Sequence, residues 1–316
     1  MQRVWIDPEA PGTGPPSETA DSGETRETTE GQLPEAERVR RERAREYSTG
    51  VVAYATDAAA RVLACALSGA LWVVRTGEGA PVRVRTAGPV VDPRPSPDGR
   101  LVAYVTGGSH VVALEDGKDR QLAAPEGPDV TYGLPEYVAA ESMGRTRGYW
   151  WAPDSRHILV ARVDTSGVER RHISDPAHPD QPPRTVAYPS AGTANADVSL
   201  HIVPVTASGA AAAPVPVAAS GERRVEVAWD RAAYVYLVSA GWDGHGPLIG
   251  VQSRDQRTLR TLAVDPGTGA TRMLHERTDP AWTEIVRGIP ARTASGALVL
   301  PEDTSGTRHL SVGAPP

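Results

Sequence analysis

The chain has 316 residues, 40% hydrophobic and 23% charged, with 29 Pro and 31 Gly, a composition that excludes a wholly unstructured chain and favours turns over long helices. Its net charge of −6 is uneven: residues 1–30 hold seven acids and two bases, which leaves the rest at −1 and excludes a basic nucleic-acid footprint. No apolar run approaches the roughly 18 residues of a membrane span, the N-terminus lacks a secretory pattern, and Cys65 is the only cysteine, so an intrachain disulfide is excluded and a cytoplasmic location is expected.

Residues 1–34 are rich in Pro, Gly, Ser, Thr and Glu without apolar periodicity, and read as a disordered acidic tail. Residues 35–48 read as a charged lead-in helix, because Glu35 to Glu46 interleaves five Arg with four Glu at spacings suited to i,i+4 pairs. Its few apolar positions give it little to bury. From residue 49 the pattern changes to short β runs. Val51–Ala55 and Leu71–Val74 are the first two; Pro95-Ser96-Pro97-Asp98-Gly99-Arg100 then leads into Leu101–Val105, and Val111–Leu114 follows. The phrase returns as Trp151-Ala152-Pro153-Asp154-Ser155-Arg156 before Ile158–Ala161, with the same logic: Pro sets φ, Asp caps the turn, and a small residue tolerates its geometry. Weaker echoes are Val225–Asp230, Leu248–Gln252, Leu259–Val264 closed by Asp265-Pro266-Gly267-Thr268-Gly269, and Thr271–Leu274. The two Pro-Asp turns lie 56 residues apart, longer than the roughly 40–50 residues of a propeller blade, and an insertion at 125–148 accounts for the excess. The expected fold is all-β: an incomplete β-propeller of about five to six four-stranded blades over residues 49–316, with a short inserted helix. With no Phe in the chain, Val, Leu, Ala, Ile, Tyr and Trp must build the core.

The inserted helix falls in Gly133-Leu134-Pro135-Glu136-Tyr137-Val138-Ala139-Ala140-Glu141-Ser142-Met143-Gly144-Arg145-Thr146-Arg147-Gly148-Tyr149-Trp150-Trp151. Pro135 at a first helical position, a helix-forming run and Gly144 as terminator predict about two turns. This stretch closely resembles the propeller of the dipeptidyl peptidase IV family, in the prolyl oligopeptidase superfamily, where a short double-glutamate helix projects into the cavity ahead of a Trp-Trp-Ser-Pro segment. Trp150-Trp151-Ala152-Pro153 matches that segment. The resemblance continues through Tyr188-Pro189-Ser190-Ala191-Gly192-Thr193-Ala194-Asn195 to Leu200, and more loosely over 225–285.

The resemblance implies a substrate site. In the family the paired glutamates bind the peptide's N-terminal ammonium; here the first maps to Glu141 and the second to Ser142. A serine keeps an acceptor and removes a charge, so weakened recognition of the ammonium is expected. Glu136 lies five residues before Glu141, roughly 140° around the helix, and is a poor substitute. Arg145 and Arg147 are candidates for the cavity mouth, although ordinary surface roles fit them equally well. Trp150 and Trp151 read as packing residues between blades.

Catalysis in the family resides in an α/β-hydrolase domain with a Ser-Asp-His triad. No serine here has Gly at both −2 and +2; the nearest case, Gly107-Gly108-Ser109-His110-Val111, reads as a hairpin turn. The expectation is a chain of serine-type peptidase ancestry with no catalytic residues and no activity alone. No cofactor and no metal are expected, and His172, Asp175, His178 and Asp180 read as a solvated loop. Two functions are compatible with this: a non-catalytic substrate-gating propeller that binds peptide N-termini, truncated or split from its hydrolase domain, or a stand-alone interaction platform. The expected partners are a peptide N-terminus and either a separate hydrolase domain or a second copy of the chain, with no nucleic acid and no membrane. A propeller lacking blades exposes a strand edge, so poor behaviour alone or dimerisation is expected.

Overall fold

A computed structural model describes residues 33–44, 46, 50–177, 179–205, 224–304 and 306–313. Most of the expected acidic tail, and His178, lie outside them. The described residues form 22 strands and two helices, α1 (Glu35–Ala44) and α2 (Tyr137–Ser142). The chain divides into two compact units, the first reaching Ala124 and including Asp154–Arg156, the second holding most of the remainder.

In the first unit, β1 (Tyr54–Thr56), β2 (Val62–Leu67), β3 (Ala70–Arg75) and β4 (Val82–Val84) form an antiparallel meander. A second meander follows: β5 (Val91–Pro95), β6 (Leu101–Val105), β7 (Ser109–Ala113) and β8 (Asp119–Ala123). Their middle strands are buried on both faces, so they read as near-continuous apolar runs rather than as alternating ones. Val62, Ala64, Leu71 and Val73 pack with Val90, Val102, Tyr104 and Val112 into one core. Helix α1 is shorter than residues 35–48, and it does bury something: Glu37 is enclosed and bound by Arg40 at 2.6 Å and Arg41 at 2.9 Å. The strand expected at Val51–Ala55 begins only at Tyr54, which is exposed, because β1 is an edge strand paired on one side.

The second unit contains β9 (Val130–Tyr132), β10 (Tyr149–Trp151), β11 (His157–Asp164), β14 (Asp197–Pro204) and β15 (Val225–Glu226) in a five-stranded sheet. A separate exposed hairpin, β12 (Arg170–Ile173) with β13 (Arg184–Ala187), interrupts it. Next comes a four-stranded meander of β16 (Tyr236–Asp243), β17 (Gly246–Gln252), β18 (Thr258–Val264) and β19 (Thr271–Thr278). A three-stranded sheet of β20 (Ala291–Arg292), β21 (Leu298–Thr304) and β22 (Thr307–Val312) follows. Leu159, Ala161, Leu200 and Ile202 from the five-stranded sheet pack against Leu237, Ile249, Val251 and Leu262 of the next, with Trp150 among them. Each such side chain contributes about 1.5–3 kcal/mol when fully buried. Val225–Asp230 is strand only at Val225–Glu226; Asp230 then caps a turn through the Ala232 and Ala233 amides.

Five blade-like sheets are therefore present among the described residues, and one turn chemistry recurs in them. Ser96 Oγ donates to Asp98 at 2.6 Å and Asp98 Oδ1 accepts the Arg100 amide at 3.1 Å; Ser253, Asp255 and Arg257 repeat this at 2.6 and 3.1 Å. Ala152 replaces the serine in the remaining copy, where Asp154 still accepts the Arg156 amide at 2.8 Å. An Asp that gathers the amide two residues on is the cap expected of Pro-Asp turns.

Candidate functional site

The α2 excursion leaves the sheet and returns to it through one residue of β11. Gly133 donates its amide to the Ala161 carbonyl at 2.9 Å, and Ala161 donates to the Gly148 carbonyl at 2.7 Å. Gly133 and Gly148 face each other as an isolated bridge. They approach so closely that a Cβ on Gly148 would lie 2.2 Å from the Gly133 carbonyl carbon, so only glycine fits there.

Glu136, extended at φ −75° and ψ 169°, is the N-cap, and Tyr137 begins the helix; Pro135 thus precedes the cap instead of occupying the first helical position. The Glu136 side chain makes no cap bond. It is buried and paired with buried Arg145. Arg145 also donates from Nε to the Leu237 carbonyl and from Nη1 to the Arg147 carbonyl, both at 2.9 Å. Expected at the cavity mouth, Arg145 is instead enclosed, with its donors engaged inside the fold. Its amide returns to the Ala139 carbonyl at 3.0 Å, and Gly144, with φ +68°, ends the helix as anticipated. Ala139 and Met143 pack on Val238, Leu259 and Ile285, and the Tyr137 ring meets Tyr188 edge-on at 5.0 Å.

These anchors leave the last turn facing outward. Glu141 and Ser142 are both exposed, while Met143 beside them is buried. Arg147 is half-buried and donates to the Tyr149 carbonyl at 3.3 Å. Arg287, which sequence reading did not single out, lies against Gly144: a Cβ there would be 2.8 Å from its Nε. A carboxylate and a hydroxyl side by side on an exposed turn form a surface that favours cations. Trp150 and Trp151 are buried, as expected of packing residues.

A Ser–His pair does occur in β14. Ser199 Oγ and His201 Nε2 are 2.9 Å apart, but both are buried. Desolvation first, then the Arg224 and Arg162 charges, push the imidazole down to about 3, so it is neutral near pH 7 and closed to substrate. No group of three or more His, Cys, Asp and Glu suited to a metal occurs among the described residues. No helix there is long and apolar enough to cross a membrane.

Comparison with known proteins bears on this geometry. Residues 54–314 match the family model described as the dipeptidyl peptidase IV (DPP IV) N-terminal region. A probable dipeptidyl peptidase 4 of Emericella nidulans is 25% identical over 237 residues, covering 68% of this chain and 29% of that protein. The venom dipeptidyl peptidase 4 of Apis mellifera is 27% identical over 186 residues, covering 55% and 23%. The chain thus spans about a quarter of the length of these curated relatives. The crystal structure of Porphyromonas gingivalis dipeptidyl peptidase 4 superposes with a TM-score of 0.68 at 18% identity, over 83% of this chain and 38% of the other, so the propeller fold is shared. From its repeated four-strand sheets and inserted helix to its matched residues, this chain belongs to the dipeptidyl peptidase IV N-terminal region family.

Proposed function

We propose that this chain is the non-catalytic, substrate-gating propeller of a dipeptidyl peptidase IV-type serine peptidase, with α2 holding the N-terminal ammonium of a peptide. The observation that carries this reading is the exposed Glu141–Ser142 turn on a helix braced from beneath by the buried Glu136–Arg145 pair. An ammonium has three donors, and Glu141 supplies the charged acceptor, Ser142 a neutral one, and the helix end its partial negative charge. Arg145 acts by positioning α2, while Arg147 stands at its return to the sheet.

The test is calorimetric binding of a free Xaa-Pro peptide amide and of its N-acetylated form. The free peptide binds more tightly, and Glu141→Gln loses about tenfold to a hundredfold in affinity, the value of one charge-assisted hydrogen bond. Ser142→Glu restores the family's second carboxylate and tightens binding by about tenfold or more. Equal binding of free and acetylated peptides by a folded chain refutes the assignment. A downstream reading frame encoding a Gly-Trp-Ser-x-Gly-Gly elbow and a later His supports the peptidase reading; its absence favours an interaction platform.

A further inference from the structure

Strand β16 carries one residue more than its pairing with β17 uses. Tyr236 pairs with Gln252 and Leu237 with Val251, but Gly250 then pairs with Ser239, so Val238 has no opposite number. This is a β-bulge, and it changes which side chains share a face. Leu237 before it, and Ala240 and Trp242 after it, all join the core shared with the five-stranded sheet. In an unbroken strand positions 237 and 240 would point to opposite faces. The bulge therefore sets Val238 and Ser239 consecutively on the other face. Both crowd the place of one absent side chain: a Cβ on Gly250 would run into Ser239 Oγ and lie 3.1 Å from Val238 Cγ2.

That other face is the one α2 covers, and the bulge supplies both parts of its anchor. Buried Val238 forms one cluster with Ala139 and Met143 of α2, against which Leu259 and Ile285 pack. The carbonyl of Leu237, at the start of the bulge, accepts Arg145 Nε at 2.9 Å. The sheet has no use of its own for the extra residue. With Val238 taken out, the pairs Leu237–Val251 and Ser239–Gly250 become successive, and Leu237, Ala240 and Trp242 keep their face.

We infer that the β16 bulge is the socket of α2, which makes Val238 and Gly250 positioning residues for the turn that bears Glu141 and Ser142. Their role in peptide binding rests on the reading of that turn as the ammonium site. Bulges beside functional sites commonly re-aim a side chain; this one aims a helix, and Gly250 is the residue small enough to let it form.

The test deletes Val238 in the full chain and follows hydrogen exchange together with binding of the free and N-acetylated Xaa-Pro peptides. Amides of Ala140 and Met143 exchange about a hundredfold faster or more, while β17 and β18 keep wild-type protection. The preference for free over acetylated peptide falls by about tenfold, and falls no further when the deletion is added to Glu141→Gln. A role confined to stability would weaken both peptides alike and leave their ratio unchanged. If the deletion variant does not fold, Val238→Ala, which keeps the bulge and removes the contact, decides the matter with exchange about tenfold faster in α2 alone. Wild-type protection of α2 in the variant that folds, or protection lost equally from β17 and β18, overturns the socket. Should the wild-type chain bind both peptides equally, the ammonium reading fails and the exchange pattern still judges the socket.

Discussion

Arg145→Met removes the cation that ties α2 to its sheet, and its consequences can be worked from three bonds. Two are charged donations to the carbonyls of Leu237 and Arg147, both at 2.9 Å, and the third is the buried pair with Glu136. Hydrogen bonds to charged groups contribute about 1.5–3 kcal/mol each, and stranding one partner of a buried pair costs about 3–5 kcal/mol. The stranded Glu136 carboxylate dominates, since Leu237 and Arg147 lose only one acceptor bond each. The expected local destabilisation is therefore about 3–5 kcal/mol, and the double variant Glu136→Gln/Arg145→Met recovers part of it because no charge is left buried. Two compact units make a global melt a poor probe, so hydrogen exchange of the peptide spanning 133–148 is the suitable assay. Amides of Ala140 and Met143, which bond within α2, exchange about a hundredfold faster or more in the single variant. Wild-type protection in Arg145→Met, or a double variant no better protected than the single one, refutes this account of how α2 is held.

Other consequences follow from the same geometry. Gly148→Ala forces a Cβ onto the backbone of Gly133 and is expected to cost about 1–3 kcal/mol or more, seen as hydrogen exchange of the peptide spanning 133–148 faster by about fivefold to a hundredfold; unchanged exchange contradicts the bridge. His201 titrates near 3 folded and near 6.5 unfolded, so the unfolded chain takes up the proton first and stability falls as pH drops below about 6.5, by about 3 kcal/mol at pH 4. The lowered carboxylates, such as Asp119 and Glu126, lose their stabilisation only below about pH 4.5. The slope between pH 6.5 and 4.5 therefore belongs to the two histidines lowered by burial, His201 and His275, and a slope undiminished in a folded His201→Gln variant counts against burial of His201 as a cause. Among the described residues strand β22 pairs only with β21, and it exposes Leu310 and Val312, so light scattering should detect self-association that Leu310→Lys and Val312→Lys reduce. A monodisperse wild-type chain at high concentration argues against that edge as a contact.

Much of this architecture was legible before any coordinates, for identifiable reasons. The Pro-Asp turns at 97–98 and 153–154 carry their chemistry locally, in an Asp that binds an amide two residues later, and each joins two paired strands within one sheet, β5 to β6 and β10 to β11. Asp265 does the same, accepting from the Gly267 amide at 2.9 Å and the Thr268 amide at 2.8 Å. The equivalent turn at Ser253–Arg257 escaped notice because it lacks Pro and places Gln256 at φ +60°, where glycine would have signalled it. Strands β2 and β14 were missed as well; buried on both faces, they show no alternation that would distinguish them from a helix segment.

The sequence by itself determined the all-β class, the Pro-Asp turns and the inserted helix, because propensity, capping and spacing act within a few residues along the chain; Glu141 and Ser142 came from resemblance to the family. Only the tertiary structure decided the fate of Arg145, for which the cavity mouth and an ordinary surface role had fitted the sequence equally well, and it alone brought Arg287 to Gly144. Whether a charged side chain meets solvent or a buried carboxylate depends on strands nearly a hundred positions away, such as the Leu237 carbonyl that receives Arg145. Such distant contacts leave no periodic trace in the local sequence, since burial is set by what packs on a residue rather than by what precedes it.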